Sequence, residues 1–125
     1  MTPSLLTVKY SQNVLDETNN YKLVVDEKDL AGLPEAVIAV AADAAKASGN
    51  EGKWVFTLHK PSCIPFFQYS SRRDLREKLF KAFISRGANG NAADNRAIAP
   101  KIASLRVTQA NLLGYKTMAD FVLEI

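Results

Sequence analysis

The sequence predicts a mainly α-helical fold that contains a small two-stranded β element. Three patterns indicate this fold class: an alanine-rich run behind a proline, two short stretches of β-branched and aromatic residues, and apolar residues at helical spacing in the second half of the chain. The chain has 125 residues, of which 47% are hydrophobic, and this is typical of one soluble globular domain. We therefore expect residues 1–125 to form a single domain-sized segment.

Two strands are predicted in the first half of the chain. Residues 21–25 alternate apolar and polar side chains, and residues 54–58 combine aromatic and β-branched side chains, which favour strands. We expect these two strands to pair beside the helices. The preceding residues 1–20 are weakly patterned, although residues 13–16 are compatible with a helix.

A helix is predicted between the two strands, after a polar turn or short helical start at residues 26–29. Pro34 lies where this helix begins, because the N–H that proline lacks has no partner in the first turn. Residues 36–47 are mostly alanine, and Gly49 is a natural stop signal. The many small side chains indicate close packing against neighbouring elements.

Two prolines, Pro61 and Pro65, follow the second strand. Proline disfavours helical backbone at the residue before it, so we expect extended backbone at Lys60 and Ile64. The next helix would then begin within residues 66–69.

A helix is predicted from residue 71 onwards, because four apolar residues share one face at helical spacing. These residues are Leu75, Leu79, Ala82 and Phe83. The glycine-rich residues 87–91 break this helix. They lack the Gly-Lys-Ser/Thr ending of a phosphate-binding loop, so we expect a flexible helix–helix connection.

A second helix is predicted from near Asn95. Pro100 conflicts with that start, so either the helix begins near Ala99 or its first turn is distorted. Its apolar stripe would consist of Ile98, Ile102, Leu105, Gln109 and Leu112, and Gly114 would close it. Thr117 and Asp120 then resemble the capping box of a third helix. The chain reaches Ile125 about two turns into that helix, so we expect it to be cut from a longer polypeptide.

The charge distribution indicates which classes of partner the chain could bind. The net charge is +3, but residues 72–106 contain nine Lys and Arg against three Asp and Glu. These cations fall on predicted amphipathic helices without interleaved aromatic residues, so we expect solvated helix faces and no nucleic-acid partner. No apolar run is as long as the stretch of about 18 residues that is needed to cross a bilayer. Residues 1–7 do not resemble a signal peptide. We therefore expect no membrane partner and a cytoplasmic location.

Few residues could carry chemistry. The single histidine, His59, cannot supply a His-Glu-x-x-His zinc site, which needs two histidines one helical turn apart. We expect His59 to be a structural or surface residue, and the single cysteine, Cys63, to be packed and inert rather than paired with it. Arg72, Arg73 and Arg76 could clamp a carboxylate or phosphate, although ion pairs with neighbouring helices are the stronger expectation. We expect no catalytic, cofactor-binding or metal-binding residue in this chain.

Several stretches follow one another in an order and spacing that are specific as a set. They are residues 13–19, 29–34, 52–58 with Pro61 and Ser62, 75–78, Leu105 with Arg106, 112–115 and 119–124. Together they resemble the thimet oligopeptidase and peptidyl-dipeptidase family of zinc metallopeptidases, most closely its bacterial Dcp-type branch. Cys63, Pro100 and residues 107–109 depart from the family pattern.

The resemblance implies a piece of the helical, non-catalytic N-terminal half of a larger enzyme. In that parent enzyme, a zinc-activated water would hydrolyse short peptides inside a channel between two helical halves. The chain alone would be an inactive wall segment without zinc. Its partner would be the missing catalytic half, and its exposed apolar faces would favour self-association.

Two other readings stay open. The chain could be a free-standing helical module that binds an acidic partner or nucleic acid through residues 72–106. It could also be a short protein that has kept only the scaffold of a peptidase.

Overall fold

The computed structural model describes residues 1–124 and confirms the mainly α-helical fold class with a two-stranded sheet. Along the chain, the elements are α1 (Pro3–Asn20), β1 (Leu23–Val25), a 3-10 helix (Glu27–Asp29), α2 (Glu35–Ala47), β2 (Trp54–Phe56), α3 (Lys60–Tyr69), α4 (Arg73–Ile84), α5 (Ile98–Leu112) and α6 (Met118–Leu123). They form two compact units. We call Asp16–Arg86 the sheet unit, and Met1–Leu15 with Gly87 onward the terminal unit.

The sheet unit is built on the antiparallel pair of β1 and β2, as the sequence predicts. Leu23 lies opposite Phe56, and Val25 lies opposite Trp54. Leu23 and Val25 point into the core while the intervening Val24 is exposed, which is the period-2 alternation of a strand with one buried face. The buried residues of this core are Leu23, Val25, Leu33, Ala41, Phe56, Leu58, Cys63, Phe66 and Leu79.

Helix α2 packs against β2, and its small side chains permit this close approach. Ala41 and Ala45, four residues apart and therefore on one face, are both buried. Pro34 is the N-cap in extended conformation, and Glu35 follows in the first turn, where a carboxylate is favourable to the helix dipole. Beyond the helix, Gly49 adopts a φ of 80°, which ends the helix where the sequence predicts.

The expectation for the two prolines after β2 is wrong. Helix α3 begins at Lys60, so Lys60 and Ile64 are helical, and residues 66–69 form its end rather than its start. Pro61 is accommodated in the first turn, where no intrahelical donor is needed. Pro65, inside the helix, removes one backbone bond at a cost of about 3 kcal/mol.

Tertiary packing offsets that cost. Cys63 and Phe66, three residues apart on one face of α3, are fully buried. The Phe66 ring lies 4.7 Å from the ring of Phe56, centroid to centroid. Burial of one such side chain stabilises by about 1.5–3 kcal/mol, and the ring pair adds about 0.5–1.5 kcal/mol. The core thus selects a helix where local sequence alone favours extended backbone.

Helix α4 confirms the predicted apolar face. Leu79 is fully buried in the core. The other three members of the stripe pack against that core, namely Leu75, Ala82 and Phe83. The helix ends at Ile84, ahead of the glycine-rich segment that is predicted to break it.

The terminal unit contains α5, α6 and the start of α1. Helix α5 begins at Ile98, so Pro100 is its third residue and has no intrahelical bond to lose. This agrees with the reading in which the helix starts near Ala99. Part of the predicted stripe is wrong, however, because Gln109 and Leu112 are exposed, and Ala110 is the buried residue of this helix.

Helix α6 starts as the capping box predicts. The backbone N–H of Asp120 donates to the Thr117 hydroxyl oxygen at 3.1 Å. The ring of Tyr115, before the helix, lies 5.3 Å from that of Phe121 within it. Ile125 lies outside the described residues. None of the helices described between residues 1 and 124 is long and apolar enough to cross a membrane.

Candidate functional site

His59, the single histidine, is held in place by both of its ring nitrogens. Its Nδ1 lies 3.0 Å from the Thr57 hydroxyl oxygen, and its Nε2 lies 3.0 Å from the side-chain oxygen of Asn19. Its backbone carbonyl accepts from the N–H groups of Ser62 and Cys63, and it is the N-cap of α3. The imidazole therefore links β2, α3 and the end of α1, and neither nitrogen is left for a substrate or a metal.

Cys63 is a packed thiol. Its side chain is fully buried, and Sγ donates to the backbone carbonyl of Leu58 at 3.7 Å. Burial raises the pKa of the Cys63 thiol, which disfavours the nucleophilic thiolate. A catalytic cysteine needs the opposite shift and a base within reach. The described geometry supplies neither for Cys63.

The described residues 1–124 contain no side-chain cluster suited to a metal. Within residues 1–124, no three His, Cys, Asp or Glu side chains lie close enough to share an ion. The zinc implied for a parent enzyme therefore has no fitting ligand set in the part of the chain that the structure describes.

The three neighbouring arginines have different environments. Arg72 forms ion pairs with Asp74, at 2.8 Å, and with Asp29 of the 3-10 helix. The Arg72 guanidinium lowers the pKa of the Asp74 carboxyl. Arg73 is exposed. Arg76 is half-buried, and its Nε is covered without a hydrogen-bond partner among residues 1–124. The prediction of pairing between neighbouring elements is confirmed for Arg72, by its ion pair with Asp29.

The glycine-rich segment is a connection held by its own side chains. The Asp94 carboxylate accepts from the Gly90 N–H at 2.8 Å and pairs with Arg96 at 2.6 Å. The Arg96 guanidinium, together with the backbone N–H groups of Arg96 and Gly90, holds the pKa of Asp94 well below its usual range. The backbone donor at Gly90 is therefore occupied by a carboxylate of the chain itself.

Sequence patterns miss one buried polar anchor in the terminal unit. The Asn13 amide nitrogen donates to the Asn95 side-chain oxygen at 2.8 Å, and the Asn95 amide nitrogen donates to the Tyr10 carbonyl at 3.0 Å. The N–H of Asn95 also donates to the Gly87 carbonyl at 2.6 Å. Both asparagines are almost fully buried. Sequence gives no signal for this pairing, because asparagine is ordinarily a surface or turn residue.

An apolar groove lies along α2 and β2 in the sheet unit, with a volume of about 510 Å³. Its lining is mostly small or branched side chains, and Val40 within it is 64% exposed. That volume falls in the range of small-ligand sites. The lining includes one titratable side chain, His59, whose two ring nitrogens are already engaged. The groove therefore offers apolar contact rather than a reacting group.

Comparison with known proteins gives one consistent family. Residues 66–125 match the model of peptidase family M3. The chain is 40% identical to a probable cytosolic oligopeptidase A of Arabidopsis thaliana over 92% of its length, and 38% identical to oligopeptidase A of Haemophilus influenzae over 96%. It is 37% identical to a dipeptidyl carboxypeptidase of Escherichia coli over 88%.

The matched region is a small part of each relative. It spans 17% of the A. thaliana protein, 18% of the H. influenzae protein and 16% of the E. coli protein. The identities differ by only a few points and do not favour the peptidyl-dipeptidase branch over the oligopeptidases. The similarity to these peptidases therefore extends over nearly the whole chain, and residues 66–125 match peptidase family M3.

Proposed function

We propose that this chain is a structural segment of a zinc-dependent peptidase that hydrolyses short peptides, and that the zinc ligands and catalytic residues lie elsewhere in that enzyme. The observation that carries the proposal is the extent of the match: 38–40% identity to oligopeptidases A over more than 90% of the chain, yet over less than a fifth of their length. In this proposal, the segment forms part of the folded wall of the enzyme, and the rest of the polypeptide carries out catalysis. We place the enzyme in the cytoplasm, and the A. thaliana relative is named as cytosolic.

The state of the polar residues supports a structural role. His59 and Cys63 are the side chains closest in type to a base and a nucleophile, and each is bonded within the sheet unit. A functional pair would instead have a free ring nitrogen and an activated thiolate facing a cleft.

A chimera tests the proposal. The matching region of H. influenzae oligopeptidase A is replaced by this sequence, and hydrolysis of a quenched-fluorescent peptide is measured. We expect the chimera to retain activity, and a version that carries a Gly/Ser linker in place of the segment to lose it. Within the active chimera, we expect His59→Ala to leave kcat unchanged, since both ring nitrogens of His59 are engaged by Thr57 and Asn19.

The isolated chain provides the complementary measurement. With zinc added, we expect no hydrolysis of the same peptide. Turnover by the purified chain that disappears in His59→Ala would contradict the proposal, as would a folded but inactive chimera.

The basic-module alternative stays a prediction. Three of the cations within residues 72–106 form ion pairs with carboxylates, namely Arg72, Lys81 and Arg96. This pairing reduces the positive charge that is free for phosphates. A gel shift at low ionic strength tests it directly, because binding through phosphate contacts weakens steeply with salt.

A further inference from the structure

The outer face of helices α3 and α4 exposes large apolar side chains. Ile64 of α3 is 50% exposed, and Phe80 and Ile84 of α4 are 51% and 62% exposed. Phe67 of α3 meets Phe80 edge to face, with ring centroids 6.2 Å apart. This ring pair joins the exposed surfaces of the two helices.

Helical geometry makes these four residues one patch. Helices α3 and α4 pack together and are joined by only three residues. Ile64 lies one turn before Phe67, and Ile84 lies one turn after Phe80. Each isoleucine therefore shares a helix face with one ring of the pair. We call Ile64, Phe67, Phe80 and Ile84 the hairpin face.

Arg76 lies one turn before Phe80 on α4 and therefore borders the hairpin face. Its Nε is the one buried side-chain nitrogen or oxygen, within the described part of the chain, that has no hydrogen-bond partner. A covered donor without an acceptor is unfavourable, and a charged group makes the deficit larger. Arg72, one turn earlier, shows the contrast, because two carboxylates already pair with it. A hydrogen-bond acceptor from outside this segment would therefore stabilise Arg76.

We propose that the hairpin face and Arg76 are covered by another segment of the same M3 polypeptide, which presents apolar side chains to the face and a carboxylate to Arg76. This inference rests on the proposed function. The relatives have ample chain for it, since the matched region is only 16–18% of their length. A carboxylate forms two parallel bonds with a guanidinium, and such charge-assisted bonds are the strong ones.

Charge argues against a second copy of this chain as the occupant. A two-fold pair would place the same surface on both partners, so that Arg76 and Arg73, one turn before it, would face like charges. The basic stretch of residues 72–106 favours an acidic partner instead. A phosphate backbone could pair with Arg76 but would leave the apolar side chains of the face uncovered.

Matched variants in the H. influenzae chimera test this assignment. Arg76→Met removes the cation while keeping an extended apolar side chain, and Lys78→Met is the control on an exposed position of the same helix. We expect Arg76→Met to raise the rate of thermal inactivation of the chimera by about fivefold or more, and Lys78→Met to leave it unchanged. In the isolated chain, where Nε has no bond to lose, we expect Arg76→Met to leave the denaturation midpoint unchanged or to raise it.

The two proposals fail in different ways. A folded but inactive chimera removes the proposed function and this inference with it. An active chimera whose inactivation rate is the same with Arg76→Met as with Lys78→Met removes only the inference. Equal destabilisation of the chimera and of the isolated chain by Arg76→Met also removes it, because the lost bond would then lie within this segment.

Photo-crosslinking identifies the occupant directly. Phe80 is replaced in the active chimera by the photoreactive residue p-benzoylphenylalanine, and crosslinked peptides are mapped by mass spectrometry. An intramolecular crosslink to a host peptide that contains Asp or Glu supports the proposal. A crosslink between two molecules, or none at all, overturns it.

Discussion

The buried asparagine pair of the terminal unit gives the sharpest stability prediction, Asn95→Ala. Asn95 is 4% exposed, accepts from the Asn13 amide at 2.8 Å and donates to the Tyr10 carbonyl at 3.0 Å. Each hydrogen bond contributes about 0.5–1.5 kcal/mol, and a buried donor left without a partner costs about 1–3 kcal/mol. Since Asn95→Ala removes two bonds and strands the Asn13 amide, we expect a loss of about 2–4 kcal/mol in unfolding free energy.

Two measurements check this value. Urea denaturation of the chain, followed by circular dichroism, gives the unfolding free energy, and Asn20→Ala at the exposed end of α1 is the control, expected within about 0.5 kcal/mol of the unchanged protein. Hydrogen exchange at the Ile98 and Ala99 amides, which donate to the Asn95 carbonyl, reports on the same corner of the unit.

A double-mutant cycle with Asn13→Ala isolates the pair. Because each single variant already breaks the Asn13–Asn95 bond, we expect the double variant to fall short of the sum of the two effects by about 1 kcal/mol. The reasoning is refuted if Asn95→Ala behaves like Asn20→Ala, or if the Asn13→Ala and Asn95→Ala effects simply add.

Three further predictions concern single positions. A Cβ at Gly87 would lie 2.9 Å from the Asn95 amide nitrogen, whereas a Cβ at Gly49, which has the same φ of 80°, would have nothing within 4 Å. Gly87→Ala should therefore destabilise the chain more than Gly49→Ala in the same urea assay. Equal effects would contradict the close contact. Burial raises the pKa of the Cys63 thiol, so above about pH 8.5 the unfolded chain releases this proton while the folded chain keeps it. The unfolding free energy should therefore fall as the pH rises toward the folded pKa, and it should fall less steeply in Cys63→Ala. Rapid alkylation of the native chain by iodoacetamide would contradict this, because it would show that the thiol is accessible. The Thr117 hydroxyl oxygen accepts a hydrogen bond from the Asp120 N–H, so Thr117→Ala should reduce helix stability by about 1 kcal/mol and speed hydrogen exchange at Asp120. Unchanged exchange at Asp120 would argue against the cap.

Periodic signals in the sequence predict most of the secondary structure. The alternation at residues 21–25, the alanine run after Pro34 and the stripe through Leu75 and Leu79 each describe one face of one element, and each is confirmed. Local capping chemistry succeeds for the same reason at Thr117, where donor and acceptor are three residues apart. These features need no knowledge of the rest of the fold.

The failures arise where distant contacts decide. Pro65 favours extended backbone at Ile64, but burial of Phe66 against Phe56, ten residues earlier, stabilises the helix instead. The stripe of α5 has helical spacing, yet Leu112 is 83% exposed. Spacing shows which residues share a face, and only the surrounding chain determines whether that face is covered.

The candidate site shows the same limit for polar residues. The sequence groups three arginines, but only the fold brings Asp29, 43 residues away, to Arg72. It likewise brings Asn13 to Asn95, 82 residues away. Pairings over such separations leave no local pattern, so neither the Asn13–Asn95 anchor nor the unpartnered Nε of Arg76 could be recognised before the fold was known.

The directions of the pKa shifts can be compared with those expected in an active site. An active site pushes an acid upward or a nucleophile downward by placing it in a cleft beside a suitable partner. Here the lowered carboxyl pKa values, at Asp74 and Asp94, arise from ion pairs near the surface, and the thiol pKa of Cys63 is shifted away from reactivity. Ion pairs and burial shift pKa values in structural networks as well, so these shifts require no catalytic role. The groups left unsatisfied are instead the Nε of Arg76 and the exposed side chains of the hairpin face. On our proposal, a covering protein surface from the same polypeptide would satisfy these groups.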